Sequence, residues 1–111
     1  MSGITTHILD TSRGRPAAGV WVVLDHRTEG AYREVGNGVT DDDGRLRDLT
    51  PGPIARGTYR LTFHIGAYFA EQKVEAFYPE ASVIFEVKDP TQHFHVPLLL
   101  NPFGYSTYRG S

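Results

Sequence analysis

The chain has 111 residues, about the length of one ordinary domain, and it contains no cysteine. The absence of cysteine excludes a disulfide scaffold, a cysteine nucleophile and any thiolate metal site. A formal charge of -2, without a run of Lys or Arg, argues against nucleic acid or an anionic membrane as a partner. No apolar stretch is long enough to span a bilayer and no signal-peptide pattern opens the chain, so we expect a soluble cytoplasmic protein with one domain over residues 1–111.

Strand-like patterns dominate the chain, because apolar residues recur at every second position or in short β-branched runs. These runs lie at residues 4–9, 20–24, 58–65, 82–87 and 93–100. Clusters of Gly, Pro, Asp and Asn, typical of turns, separate them at 12–16, 41–44, 51–53 and 101–104. Only residues 69–77 show helical spacing, with Phe69, Lys73, Val74 and Phe77 three or four apart. Seven or eight short strands at this spacing predict a β-sandwich with one short helix.

The run at 93–100 is apolar on both of its faces. Phe94, Val96, Leu98 and Leu100 share one face, whereas Leu99 lies on the other face with His93 and His95. In a two-layer sandwich the second face needs cover from another subunit or a ligand. Proline cannot donate to a strand ladder, so Pro97 is expected at an edge or a bulge, and the pattern does not decide between them.

Three histidines on the predicted strands have both an ordinary and a functional interpretation. His7 is either a solvent-facing strand residue or a general base, since imidazole titrates near neutral pH. His93 and His95 lie two residues apart and so share a strand face. They are a surface pair, an acid/base pair, or, as a minority interpretation, part of a metal site, although no Asp or Glu joins them on that strand.

Arg45 and the last residues of the chain are the other polar candidates. Arg45 follows the aspartates of residues 41–43, so it either forms ion pairs with them or donates to a carbonyl that gains negative charge. The three adjacent aspartates lack the alternating spacing of a calcium loop. The segment 105–111 is rich in hydroxyl and aromatic groups, and composition alone leaves a disordered polar tail and a structured one equally open.

Long motifs stand at both ends of the chain. It opens with ITTHILDT at residues 4–11 and GRPAAGV at 14–20. It closes with HFHVPLLL at 93–100, NPFGYST at 101–107 and YRGS at 108–111, and DGR at 43–45 and FYPE at 77–80 lie between them. These motifs resemble those of the 5-hydroxyisourate hydrolases, in the transthyretin-related family. The resemblance covers essentially the whole chain, and the opening combined with the closing tetrapeptide is highly specific.

This resemblance implies an all-β, transthyretin-like sandwich of two four-stranded sheets with one short helix. It also implies a homotetramer, a dimer of dimers, with active sites in a channel where the dimers meet. The implied activity is hydrolysis of 5-hydroxyisourate to 2-oxo-4-hydroxy-4-carboxy-5-ureidoimidazoline, without a cofactor or a metal. The implied catalytic residues are His7, Arg45, His95 and Ser111. The implied substrate-binding residues are His7, Arg45, Tyr108, Arg109 and Gly110.

The resemblance also suggests how these side chains share the reaction. His7 would orient or deprotonate the attacking water, and His95 would share the proton transfers. Arg45 would hold the substrate and stabilise the oxyanion. Tyr108 would bind the ring edge, and Ser111 would close the pocket.

Two other classes of function are compatible with a sandwich of this kind. Transthyretin itself is a carrier on the same fold, and a fold does not determine a function. The resemblance implies that carriers lack the YRGS ending and the channel histidines found here. A structural or adhesive module without chemistry would explain the strands but not the histidines, the arginine and the tail.

Overall fold

The computed structural model describes residues 3–111, which form two β-sheets and one helix. The elements are β1 (Gly3–Asp10), β2 (Arg15–Pro16), β3 (Trp21–Thr28), β4 (Ala31–Val39), β5 (Arg45–Leu46), β6 (Gly57–Phe63), α1 (Ile65–Glu71), β7 (Ala81–Val87), β8 (His93–Asn101) and β9 (Gly104–Thr107). All five predicted strand runs are strands in the structure. The predicted all-β sandwich with one short helix is confirmed.

The two sheets have the strand orders β2-β1-β8-β9 and β4-β3-β6-β7. Within the first sheet β1 and β8 run parallel along their whole length, and the other pairs are antiparallel. The two-residue strand β5 pairs with β1 on the same edge as β2, so this sheet has five strands rather than the expected four. The difference arises because β2 and β5 are two short pieces that together line one edge of β1.

Alternate side chains of β1 and β8 point into one core between the sheets. Ile4, Ile8, Leu98 and Leu100 are fully buried there, packed in one cluster with residues of the second sheet such as Leu61. Because side chains alternate across a strand, the residues between them point to the opposite, outer face of the first sheet. Fully burying a Leu or Ile side chain stabilises the fold by roughly 1.5–3 kcal/mol, so this alternation fixes which side chains remain outside.

The helix lies further towards the N-terminus than residues 69–77, where the sequence predicts it. It spans Ile65–Glu71, and Lys73 adopts a left-handed φ of 58° after its end. Ile65, Tyr68 and Phe69 form its buried stripe at helical spacing. The position was predicted wrongly because Ile65 also continues the period-two pattern of β6. The backbone N–H groups of residues 73 and 74 bond back to the carbonyls of 70 and 69, closing the helix with a Schellman arrangement.

Pro97 lies in the central strand β8, not at an edge. The ladder between β8 and β9 ends at the pair Leu98–Thr107, and pairing returns only as an isolated bridge between His95 and Gly110. The ladder is therefore interrupted opposite Pro97, which has no N–H to donate.

Candidate active site

The outer face of β1 and β8 collects the polar residues that the sequence singles out. Thr5 and His7 alternate with buried residues on β1, and His93 and His95 do so on β8. The parallel register places Thr5 opposite His95 and Gly3 opposite His93. Four polar side chains thus share a small area of one sheet face, outside the hydrophobic core.

A pocket of about 520 Å³ opens on this face. Its lining residues are Thr5, Thr6, Arg45, Arg47, Asp48, His93, His95 and Ser111. The structure thus brings together Arg45, His95 and Ser111 of the expected catalytic set. His7 does not line this pocket, but it lies opposite Arg45 in the β1–β5 register and shares a strand face with Thr5.

The turn before β5 holds Arg45 through its main chain. The Asp41 carboxylate accepts the N–H groups of Asp43 and Arg45, both at 2.9 Å, and the Arg45 N–H is the main cause that keeps the pKa of Asp41 below its usual value. Gly44 has a left-handed φ of 74°, and a Cβ there would lie 2.4 Å from the carbonyl oxygen of Ile8. This turn therefore requires glycine and fixes β5 against β1.

The guanidinium of Arg45 is free within the described residues. It is Arg47 that lies 3.6 Å from the Asp41 carboxylate, whereas no carboxylate of residues 3–111 forms an ion pair with Arg45. The interpretation in which Arg45 pairs with the neighbouring aspartates is therefore wrong for its side chain. An unpaired guanidinium beside a pocket can donate its hydrogen bonds to a ligand carbonyl or anion.

One hydroxyl group joins the two histidines of β8. The Oγ1 of Thr5 lies 2.8 Å from Nε2 of His93 and 2.8 Å from Nδ1 of His95. Burial lowers the pKa of His95 below that of free imidazole, and the charges of Arg45, His93 and His7 lower it further. At neutral pH His95 is therefore uncharged, and its Nε2 forms no hydrogen bond with any described residue.

The tail reaches the pocket along the side of His95. The Thr107 hydroxyl donates to the carbonyl of Pro97 at 2.7 Å, and the N–H of Gly110 donates to that of His95 at 2.8 Å. A Cβ at Gly110 would lie only 2.7 Å from Cδ2 of the His95 ring. Glycine thus allows the tail to pass close to the imidazole, and Ser111 then lines the pocket. Of the two possibilities for segment 105–111, the structured one is observed.

Tyr108 and Arg109 point away from this pocket. Tyr108 is 57% exposed. The Arg109 guanidinium lies 4.5 Å from the ring centroid of Phe94 and donates to Oε1 of Gln92 at 3.0 Å. Both residues line a separate cavity of about 150 Å³ between β7 and the tail. The structure therefore does not group them with Arg45, His95 and Ser111, and their expected role in substrate binding stays a prediction.

Sequence reasoning missed four residues that line the pocket, and one of them, Thr6, is a buried residue on the core side of β1. Thr5 could have been found by its two-residue spacing from His7, which places both on one strand face. Arg47 and Asp48 follow β5 in a segment without periodicity, and no sequence signal marked them.

Among residues 3–111, no three His, Asp or Glu side chains are grouped closely enough to hold a metal ion. Over the same residues, no helix is long and apolar enough to cross a membrane.

Comparison with known proteins identifies the family. The sequence model of the HIUase/transthyretin family matches residues 4–110. The 5-hydroxyisourate hydrolase of Halalkalibacterium halodurans is 50% identical over 119 aligned residues, covering 100% of both chains. The structure of Klebsiella pneumoniae 5-hydroxyisourate hydrolase aligns with a TM-score of 0.89 at 42% identity, also covering 100% of both. Sea bream transthyretin in complex with thyroxine aligns with a TM-score of 0.89 at 31% identity, over 96% of this chain and 93% of the other. This chain therefore belongs to the HIUase/transthyretin family, as its opening and closing motifs predict.

Proposed function

We propose that this protein is an enzyme that hydrolyses 5-hydroxyisourate, with 2-oxo-4-hydroxy-4-carboxy-5-ureidoimidazoline as the product. A hydrolase and a thyroxine-bound transthyretin align with it equally well in three dimensions, so the overall fold does not distinguish between the two functions. The observation that carries the proposal is the pocket in which the unpaired guanidinium of Arg45 meets the uncharged imidazole of His95. Higher identity to hydrolases than to the thyroxine complex points the same way.

The reaction is attack of water on a cyclic amide carbonyl. A C–O bond forms, the carbonyl oxygen gains negative charge, and the ring C–N bond then breaks while its nitrogen takes a proton. Arg45 donates to the developing oxyanion, an interaction that strengthens as charge builds up. Its freedom from ion pairs supports this role, because a guanidinium already neutralised by a carboxylate would attract the oxyanion less.

In this mechanism His7 and His95 carry out the proton transfers. His7 orients or deprotonates the water beside Arg45, which the β1–β5 register supports. His95 shares the proton transfers through its free Nε2, and the lowered pKa keeps that nitrogen available as a base at neutral pH. The proton removed from water is then available for the leaving nitrogen.

The tail completes the pocket in this proposal. Ser111 lies among the lining residues and closes one side, while Gly110 brings it there along the His95 ring. The expected substrate contacts of Tyr108 and Arg109 require the tail, or a second subunit, to bring them towards the ligand.

We also propose that the protein assembles as a homotetramer, a dimer of dimers, and that it acts in the cytoplasm. Leu99 is half buried on the outer face of β8. Phe77 and Phe103 are 69% and 64% exposed, and exposed aromatic surface of this kind is typical of subunit contacts. Light scattering should give four times the chain mass of 12.4 kDa, whereas a monomer would contradict the assembly.

The second candidate function is that of a ligand carrier. It is favoured by the similarity to a transthyretin whose structure was determined with thyroxine. A carrier of this kind would bind thyroxine and leave the decay of 5-hydroxyisourate unchanged. The two functions are therefore separated by measuring thyroxine binding and hydrolysis on the same preparation.

The proposal is tested by hydrolysis assays on matched variants. 5-Hydroxyisourate is generated from urate with urate oxidase, and the loss of its ultraviolet band is compared with the spontaneous rate. Arg45→Ala should lose about 100- to 1,000-fold in kcat, the usual effect of removing an oxyanion donor. Arg33→Ala, on the exposed strand β4, serves as the control and should retain activity. Equal activity of the two folded variants would contradict the role of Arg45.

A further inference from the structure

We propose that the Thr5 hydroxyl is a switch that sets which nitrogen of His95 carries the proton, under the control of His93. This inference deepens the proposed function and rests on it. It assigns positioning roles to Thr5 and His93, whereas His95 remains the residue that faces the substrate.

The geometry of the three side chains carries the argument. Thr5 lies on β1 and both histidines on the neighbouring parallel strand, so the backbone pairing holds the hydroxyl between the two rings. Both contacts are 2.8 Å long and partly buried. They use Nδ1 of His95 and Nε2 of His93, so the opposite nitrogen of His95 stays free for a ligand.

A hydroxyl carries only one proton, which gives this chain of contacts two arrangements. When Nε2 of His93 accepts from Thr5, the hydroxyl oxygen accepts from Nδ1–H of His95, and Nε2 of His95 presents a lone pair to the pocket. When Nε2–H of His93 donates instead, Thr5 donates to Nδ1 of His95, whose Nε2 then carries the proton. In the first arrangement Nε2 of His95 can act as a base, and in the second it can act as an acid.

The same chain lets His95 act as a base without becoming a cation. As Nε2 of His95 takes a proton from water, its Nδ1–H proton moves to Oγ1 of Thr5, and the hydroxyl proton of Thr5 moves to Nε2 of His93. The positive charge then resides on His93, and the reverse transfer returns a proton for the leaving nitrogen. This route is favourable because burial and the nearby Arg45 already oppose a charge on His95.

Protonation of His93 also decides the direction of the switch in the free protein. An imidazolium can only donate, so protonated His93 locks His95 into its acid arrangement. The charged and titratable groups that share the pocket with His93 are Arg45, Arg47 and Asp48, together with His95 on its own strand, and Arg109 donates to the His93 carbonyl at 3.4 Å. We therefore expect kcat/KM to fall on the acid side as His93 is protonated.

Replacement of the hydroxyl tests this proposal in the assay. Thr5→Val keeps the shape but removes the hydroxyl, and we expect kcat/KM to fall about 100-fold, the lower end of what acid/base catalysis contributes. Thr5→Ser restores the hydroxyl and should keep most of the wild-type kcat/KM. The control is Thr62→Val on β6 of the other sheet, which should leave kcat/KM and its pH profile unchanged.

Nitrogen NMR of the histidine rings supplies a readout that does not depend on catalysis. In the wild type, the His95 nitrogens should change to the Nε2–H form as His93 is protonated. In Thr5→Val the His95 tautomer should no longer follow His93. His93→Phe should also abolish the change in the His95 tautomer. This second variant still tests the proposal if Thr5→Val folds poorly.

The outcomes separate this inference from the proposed function. Coupled titration in a protein that does not hydrolyse 5-hydroxyisourate would support the switch and refute only the function. The switch would be overturned by a protein that hydrolyses 5-hydroxyisourate but whose His95 nitrogens do not change when His93 is protonated. A folded Thr5→Val variant with the kcat/KM and pH profile of the wild type would overturn it as well.

Discussion

Gly110→Ala tests whether the tail must pass close to the His95 ring for activity. The new Cβ would lie 2.7 Å from Cδ2 of His95 and 3.3 Å from Cγ of Pro97, whereas ordinary contact begins at 3.4 Å. The ring or the tail must therefore move by about 0.7 Å. Since a displacement of about 1 Å in an active site can cost about 100-fold in rate, we expect kcat/KM to fall about 10- to 100-fold. That loss corresponds to about 1.4–2.7 kcal/mol of transition-state stabilisation.

The assay is the decay of 5-hydroxyisourate, with Gly104→Ala as the matched control. A Cβ at Gly104 meets only side-chain atoms of Asn101, the nearest at 3.7 Å, so this variant should behave like the wild type. Thermal unfolding should show both variants folded, because Gly110 is paired only through one isolated bridge. A folded Gly110→Ala variant with wild-type kcat/KM would refute the reasoning.

Three further predictions concern stability and pH. Tyr68→Phe removes the donor at 2.7 Å from the fully buried Asp10 carboxylate, and urea unfolding should show a loss of about 1–3 kcal/mol. Thr40→Val breaks two buried hydrogen bonds of 2.8 and 2.9 Å, one donated and one accepted, and should cost a similar amount in the same experiment, whereas no change would contradict their role. Burial, reinforced by Arg45, holds the pKa of His95 below 6.5 in the folded protein. The unfolded chain therefore binds this proton more readily, and the free energy of unfolding decreases as the pH falls from about 6.5 through the folded pKa. Urea titrations at several pH values should show a shallower acid-side loss in His95→Asn than in the wild type.

Much of the fold was predictable because burial imposes a period of two on its strands. Residues 93–100 showed the apolar face that enters the core and the separate face that carries Leu99, His93 and His95, and both faces are as predicted. β4 (Ala31–Val39) was not predicted, although it is nine residues long. It is an edge strand with two glycines and few buried residues, so it lacks the alternation that reveals a half-buried strand.

The helix shows a different limit of sequence patterns. Ile65 satisfies both the alternation of β6 and the helical stripe with Tyr68 and Phe69, so the boundary could be drawn at either place. Phe77 is 69% exposed, so the apolar residues beyond position 71 do not extend the buried stripe of the helix. Tertiary packing, which a local sequence pattern does not describe, therefore determines where β6 ends and the helix begins.

The candidate site was predictable in its residue types more than in its arrangement. The motifs pointed to Arg45, His95 and Ser111, and these line one pocket. The register that sets Thr5 between two imidazoles depends on parallel pairing of the first and eighth strands, which are about ninety positions apart in the sequence. The orientation of Arg109 towards Phe94 depends on the tail pairing again with β8 at the bridge between His95 and Gly110, a tertiary contact without a local sequence signal.

The central claim is tested most directly by the rate at which 5-hydroxyisourate disappears when the wild-type protein is added. The account predicts a decay that accelerates in proportion to protein concentration and returns almost to the spontaneous rate in a folded His7→Asn variant. Decay at the spontaneous rate in the presence of folded wild-type protein would contradict the account.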